Sequence, residues 1–189
     1  MDELEPAFKK WCENEGIRWR RALKLYAYDP LPAHRLADHL GIQVMSPAEI
    51  PGVEPQTLQQ LLVKDTASWS ATALPLPNDH YLIIYNPTHS PARHESNMMH
   101  ELAHLILKHE PIRFTTLPGV SLPIREYREE DEQAASYLSG CLLITIRGLD
   151  WAIQRKMSHE QIAAHFGASL EMARYRCNMT GRSVAGKQV

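Results

Sequence analysis

Apolar residues recur at helical spacing early in the chain and at strand spacing further on. Leu4–Cys12 and Trp19–Tyr26 carry apolar residues three and four positions apart, which predicts two helices. Pro32–Gly41 has proline near its start and glycine at its end, as short helices often do. Three strands are predicted, at Ile42–Met45, Ser68–Leu76 and Tyr81–Tyr85. Because little helical sequence separates the last two strands, an antiparallel sheet is favoured over parallel strands with crossovers.

The second half of the chain is predicted to be mainly helical. Ser90 can cap a helix that begins at Pro91 and ends near Lys108. A loop over Pro111–Pro123 is followed by a helix over about Glu129–Ile144. Two or three short helices are predicted between Leu149 and Gly181, and Gly181–Val189 has the composition of a frayed end. The prediction is therefore an α+β domain over residues 1–148, with a small antiparallel sheet packed on helices, and a helix-turn-helix-like segment over 149–189.

Composition and charge exclude several classes of protein. Hydrophobic residues make up 44% and charged residues 22%, which is typical of a globular chain. The formal net charge of -2 argues against a general nucleic-acid coat or a polybasic membrane anchor. The three cysteines form no CxxC pair, so neither a disulfide framework nor a thiolate metal site is indicated. An acidic start and the lack of a long apolar run predict a cytoplasmic protein with no membrane partner.

The strongest chemical signal is His100-Glu101-Leu102-Ala103-His104, an HExxH sequence inside the predicted helix that begins at Pro91. Residues four apart lie about 40° apart around a helix, so both imidazoles project from one face and can bind one Zn²⁺. Glu101 lies at the edge of that face, where it can act as a general base without binding the metal. The surrounding residues are apolar, so the helix is predicted to be buried and its polar groups need a partner. A metal is one partner; a pair of hydrogen-bonded core histidines is the alternative.

A catalytic zinc takes a third protein ligand, and the acidic run Glu129–Glu132 at the start of the next helix can supply it. Acidic residues in a first helical turn also complement the helix dipole, which accounts for most of this run. The inward face of that helix is marked by Ala135, Leu138, Cys141 and Leu142, and Glu132 continues it. Glu129 lies near the same face but one turn further out, whereas Glu130 and Asp131 are predicted to point elsewhere. Glu132 is therefore the predicted third ligand.

These motifs together resemble the ImmA/IrrE family of metallo-endopeptidases. The resemblance rests on Asn86-Pro87, Ser90–Arg93, Met99–Leu105, and the run from Glu132 to Leu143, and it extends to Ile162–Arg176 and Asn178–Gly181. It implies a zincin-like α+β core, a single zinc ion, and cleavage of a helix-turn-helix repressor that controls nearby genes. Carried over to this chain, His100, His104 and Glu132 become zinc ligands and Glu101 the general base.

Five other polar residues near the motif could contribute to the site. A second donor to the oxyanion of a tetrahedral intermediate is expected, and the sequence does not choose among the candidates His89, Arg93, His94 and Tyr127. His109 follows His104 by five residues, about 140° around a helix. It is therefore predicted to lie at the surface or behind a ligand.

A DNA-binding regulator is the alternative function from a different class. Small residues at Ala163, Gly167 and Ala173 are typical of two closely packed helices in a helix-turn-helix. From Trp151 onward, basic residues outnumber acidic ones, which would suit a modest phosphate-binding patch. The predicted recognition helix, Leu170–Cys177, offers few base-reading side chains, so a structural or substrate-docking role is favoured over direct nucleic-acid binding.

Overall fold

The computed structural model describes residues 4–110, 113–116 and 123–184. The helices are α1 (Pro6–Ala22), α2 (Ala33–His39), α3 (Pro55–Gln59), α4 (Pro91–Leu107), α5 (Glu129–Leu143), α6 (Ile146–Gln154), α7 (His159–Phe166) and α8 (Leu170–Thr180). The strands are β1 (Gln43–Met45), β2 (Ala71–Leu76), β3 (His80–Tyr85), β4 (Arg113–Thr116) and β5 (Pro123–Glu126). This is the predicted α+β class. None of the helices in the described ranges has the length and apolar character needed to cross a bilayer.

The central sheet has three strands in the order β1-β3-β2. β2 and β3 pair antiparallel, as predicted, through a turn in which Asn78 and Asp79 both adopt left-handed conformations. β1 pairs parallel with β3, so the sheet is mixed and not wholly antiparallel as expected. The expectation came from the short connection between β2 and β3, which does not constrain β1. A long excursion through α3 separates β1 from its partner and permits the parallel pairing.

Two other segments differ from the sequence prediction. α1 is one continuous helix where two were expected, because polar residues interrupt the apolar pattern of its inner face: Arg20 is fully buried, and Glu13 pairs with the buried Arg176. The predicted loop Pro111–Pro123 contains β4 and the first residue of β5, which pair antiparallel. Residues 111–112 and 117–122 of that loop lie outside the described residues. The frayed end is described only as far as residue 184.

The main core is built around α4 and α5, which pack against each other. On α4, Met98, Met99, Leu102 and Ala103 are fully or almost fully buried. They belong to one buried cluster, which also takes in Ile83 of β3 and side chains from α5 and the C-terminal helices: Leu138, Leu142, Ile162, Phe166 and Cys177. Full burial of one large apolar side chain stabilises a fold by roughly 1.5–3 kcal/mol. The core therefore holds the HExxH helix in place. The division of the chain into a domain over residues 1–148 and a segment over 149–189 stays a prediction.

Two buried arginines from other helices contact the C-terminal end of α5. Arg20 of α1 donates hydrogen bonds to the carbonyl oxygens of Leu142 and Leu143, each at 2.8 Å. Arg176 of α8 donates to the carbonyl oxygen of Ile144 at 2.9 Å and pairs with Glu13 at 2.5 Å. The last carbonyl groups of a helix have no partner within the helix and must find donors elsewhere. The two guanidinium groups provide those donors and join α1 and α8 to α5.

Arg176→Leu is expected to lower the free energy of unfolding by roughly 3–5 kcal/mol, because it leaves the Glu13 carboxylate inside the protein without its cation. Arg174→Leu is the matched control: this side chain is 56% exposed and only approaches Glu160 at 4.0 Å. It should change stability by less than about 1 kcal/mol. Urea denaturation of both variants measures the difference. Equal, small losses would show that the buried pair contributes nothing.

Candidate metal site

The helix α4 places both histidines of the HExxH sequence on one side. Its start is fixed by Ser90, whose side chain accepts a hydrogen bond from the backbone N–H of Arg93 at 3.4 Å, and by Pro91 in the first turn. The rings of His100 and His104 lie one turn apart, with centroids 4.8 Å from each other. Their Nε2 atoms are 3.1 Å apart. Two nitrogen donors therefore point to the same small volume.

The next helix, α5, brings a carboxylate to the same volume. Glu132 lies in the first turn of α5, and its Oε2 is 3.0 Å from Nε2 of His100. Its Oε1 is 3.5 Å from Nε2 of His104. Of the acidic run, Glu129 instead accepts a hydrogen bond from Gln133 at 3.2 Å. The structure thus brings together the three residues predicted as ligands, and among the described residues they are the group able to hold a metal ion.

The donor atoms have the spacing that a zinc ion requires. Four ligands at 2.0–2.1 Å around a tetrahedral centre lie roughly 3.3 Å from one another. The two Nε2 atoms are 3.1 Å apart, and Oε2 and Oε1 of Glu132 lie 3.0 Å and 3.5 Å from Nε2 of His100 and of His104, close to this value. The side chain of Glu132 is 46% exposed and that of His100 is 27% exposed, so solvent reaches one side of the group. The residues present fit a cation with three protein ligands and one open position.

The protonation states also suit a cation. Hydrogen bonds from His100 and His104 hold the pKa of Glu132 well below its usual range, so the carboxylate is ionised. Burial lowers the pKa of His104, which favours the neutral imidazole. Ionised carboxylate and neutral imidazole are the forms that bind metals. In those forms the donor set carries one negative charge, which a divalent cation would compensate.

Glu101 is oriented by the neighbouring sheet. The backbone N–H of Ala73, in the edge strand β2, donates a hydrogen bond to Oε2 of Glu101 at 3.0 Å. Glu101 is not among the residues that converge as ligands. Its carboxylate is thus held against the edge strand of the sheet. Sequence reasoning could not find the Ala73 contact, because any residue except proline offers the same backbone donor.

The structure separates the four candidates for oxyanion stabilisation. The Tyr127 ring stacks on that of His104, with centroids 3.8 Å apart and an angle of 19° between planes. His89 contacts the carbonyl oxygen of Thr66 at 3.1 Å, and Arg93 donates to Ser70 at 3.4 Å. The ring of His94 lies edge-on to Tyr85. Of the four, Tyr127 is the one in contact with a predicted ligand.

One acidic residue differs from its predicted orientation. Asp131 was expected to point away from the site, but its Oδ1 lies 3.6 Å from Nε2 of His109. His109 in turn lies behind His104, as its position in the sequence allowed. The helical pattern of α5 grouped Glu132 with the inward face, and in the structure its carboxylate lies beside His100 and His104. It missed Asp131 because His109 comes from beyond the end of another helix.

Fold and site together define a class of protein, the zincin-like metallopeptidases, which carry HExxH on a buried helix of an α+β core. Residues 37–178 match the family described as peptidase M78, IrrE N-terminal-like domain. The chain belongs to this family, which confirms the resemblance seen in its motifs and implies a hydrolase that acts on protein substrates. No curated protein and no solved structure matches the chain significantly.

Proposed function

We propose that this protein is a zinc-dependent endopeptidase in which His100, His104 and Glu132 hold the metal and Glu101 is the general base. The observation that carries the proposal is the convergence of two Nε2 atoms and one carboxylate at separations of 3.0–3.5 Å. Two imidazoles and one carboxylate, with a fourth position left open, are typical of catalytic zinc in peptidases. Zinc is therefore favoured over magnesium or calcium, which prefer sets of oxygen ligands.

When bound, zinc would supply a Lewis acid for the substrate carbonyl and lower the pKa of water at its open position to about 7. Glu101 would accept a proton from the attacking water as its oxygen bonds to the carbonyl carbon. The C–N bond would then break, and Glu101 would pass this proton to the departing amine nitrogen. The Ala73 N–H would hold the carboxylate in position through both transfers, because it bonds to Oε2.

The proposed substrate is one specific regulatory protein in the cytoplasm, a helix-turn-helix repressor whose cleavage changes transcription. The family resemblance supports this, and a peptidase restricted to one target would avoid the harm of unrestricted proteolysis in the cytoplasm. The segment from Leu149 to Gly181 is proposed to contribute to docking. Phe166 and Cys177 are buried in the core, so docking would involve the outer faces of α7 and α8 instead.

The protein purified without added chelator is expected to contain about one zinc per chain and to cut one candidate repressor at discrete positions. The assay compares candidate repressors with denatured casein, and the Glu101→Gln variant serves as the inactive control. Removal of zinc by a chelator should abolish cleavage, and added zinc should restore it. Efficient digestion of casein with no preference for any repressor would contradict the substrate proposal. Failure of the purified protein to bind zinc would contradict the proposal that it is a zinc-dependent endopeptidase.

The structure reduces the support for the alternative of a DNA-binding regulator. Arg176, in the predicted recognition helix, is fully buried and cannot reach a nucleic acid. Arg182 forms an ion pair with Asp150, and Arg174 lies 4.0 Å from Glu160. Three of the cations that suggested a phosphate-binding patch are thus buried or have acidic neighbours, and binding to DNA depends on cations that are available to phosphates.

A further inference from the structure

The chain turns sharply where α4 ends, and this turn brings His109 back to the metal group. Lys108 adopts a left-handed conformation with φ of 56°, which is unfavourable for a residue other than glycine. The backbone N–H of His109 then donates to the carbonyl oxygen of His104 at 3.0 Å. As a result, the two imidazole rings lie edge to face, with centroids 5.1 Å apart.

The contact between these rings joins two nitrogen atoms. Nδ1 of His109 lies 3.0 Å from Nδ1 of His104, so a hydrogen bond requires that one nitrogen carry the proton and the other accept it. A neutral histidine that binds a cation through Nε2 must carry its proton on Nδ1. Nδ1 of His109 is then the acceptor. Its own proton must be on Nε2, which lies 3.6 Å from Oδ1 of Asp131.

We propose that His109, supported by Asp131, is a positioning residue that fixes the tautomer and ring orientation of His104. This inference rests on the proposed function, because it assumes that His104 binds zinc through Nε2. The side chain of His109 is only 11% exposed, so water competes little for its hydrogen bond to His104. Tyr127 stacks on the His104 ring and limits its rotation as well. Loss of an outer hydrogen-bond partner typically weakens metal binding by about 10–100-fold.

Two substitutions distinguish the positioning role of His109 from a simple packing role. His109→Phe keeps a ring against His104 and Tyr127 but removes both nitrogens. His109→Asn removes the ring but places a carbonyl oxygen at about the position of Nδ1, where it can accept the same proton. If His109 only fills space, the phenylalanine variant should be the better one. If it positions His104, the asparagine variant should be better.

The experiment measures the zinc Kd of the purified full chain by competition with a chromophoric chelator, together with the visible spectrum of the cobalt-substituted protein. His109→Phe is expected to weaken zinc binding by about 10–100-fold and to shift the cobalt bands. His109→Asn should remain within several-fold of the unsubstituted protein and keep its spectrum. His165→Phe is the control for loss of an imidazole, since His165 lies on α7 and contacts the carbonyl oxygen of Tyr28 instead. The zinc Kd of this variant should not change.

Tight zinc binding by His109→Phe, or weaker binding by His109→Asn than by His109→Phe, would overturn the inference while leaving the proposed function intact. Absence of zinc binding by the unsubstituted chain would overturn both. Circular dichroism of the metal-free variants establishes that each is folded. Should His109→Phe not fold, Asp131→Ala tests the same chain of contacts from its other end. It should weaken zinc binding several-fold, and an unchanged Kd would count against the inference.

Discussion

Replacement of Glu101 by Gln is expected to leave one zinc per chain in place and to lower peptidase activity by about 10²–10⁴-fold. Glutamine has the same shape as glutamate, and its carbonyl oxygen can still accept the hydrogen bond from the Ala73 N–H. It cannot take a proton from water at neutral pH. The substitution therefore removes the proposed base while keeping the geometry of α4 and β2. Metal content by mass spectrometry and repressor cleavage by electrophoresis measure the two effects separately.

Glu95→Gln is the matched control for this variant. Glu95 lies on the same helix, and its carboxylate likewise accepts a backbone hydrogen bond, from Ala33 at 2.6 Å. Its substitution should leave both zinc content and cleavage unchanged. Loss of zinc from Glu101→Gln would show that Glu101 is a ligand and not a base. Retention of full activity would remove it from the mechanism.

The second large effect is expected at Glu132, where substitution by Ala should weaken zinc binding by more than the roughly 100-fold associated with outer-shell partners. Two imidazoles alone leave the cation without its one charged ligand. The fold should survive, because the Glu132 side chain is 46% exposed and its hydrogen bonds are to His100 and His104 of the same site. Isothermal titration of the metal-free protein with zinc gives the Kd directly.

Glu130→Ala removes a neighbouring carboxylate from the same turn of α5 at an exposed position, and it should bind zinc as tightly as the unsubstituted chain. This comparison separates a ligand from the general effect of negative charge near a cation. If Glu130→Ala proved to be the weaker binder, the assignment of the third ligand would be wrong by two positions on the helix. Equal weakening in both variants would indicate a diffuse electrostatic effect.

Much of the site could be predicted because its residues follow simple periodicities. His100 and His104 are four apart on a helix whose start is marked by Ser90 and Pro91, and the helix formed where this pattern placed it. The apolar stripe of α5 selected Glu132 from four consecutive acidic residues, and the structure brings that residue to the histidines. Local spacing was sufficient because each ligand lies within a regular helix.

The rest depended on contacts between segments distant in sequence. The direction of β1 is decided by the long connection that precedes β2, and no local pattern records it. The continuity of α1 was hidden because Glu13 and Arg20, both polar, face the core and pair with groups from α5, α6 and α8. The Ala73 N–H is a backbone group, and the position of His109 depends on the left-handed turn at Lys108. None of these contacts leaves a characteristic spacing in the sequence.

The contacts of α1 extend the packed structure beyond the region that matches the family. The matched region begins at residue 37, after α1. A fragment of residues 37–178 would keep all three proposed ligands and the base. It would lack Arg20, whose guanidinium bonds to the carbonyl oxygens at the far end of the helix that presents Glu132. It would also lack Glu13, the counter-ion of Arg176. The matched region therefore contains the proposed chemistry, while part of its structural support comes from a helix that lies outside that region.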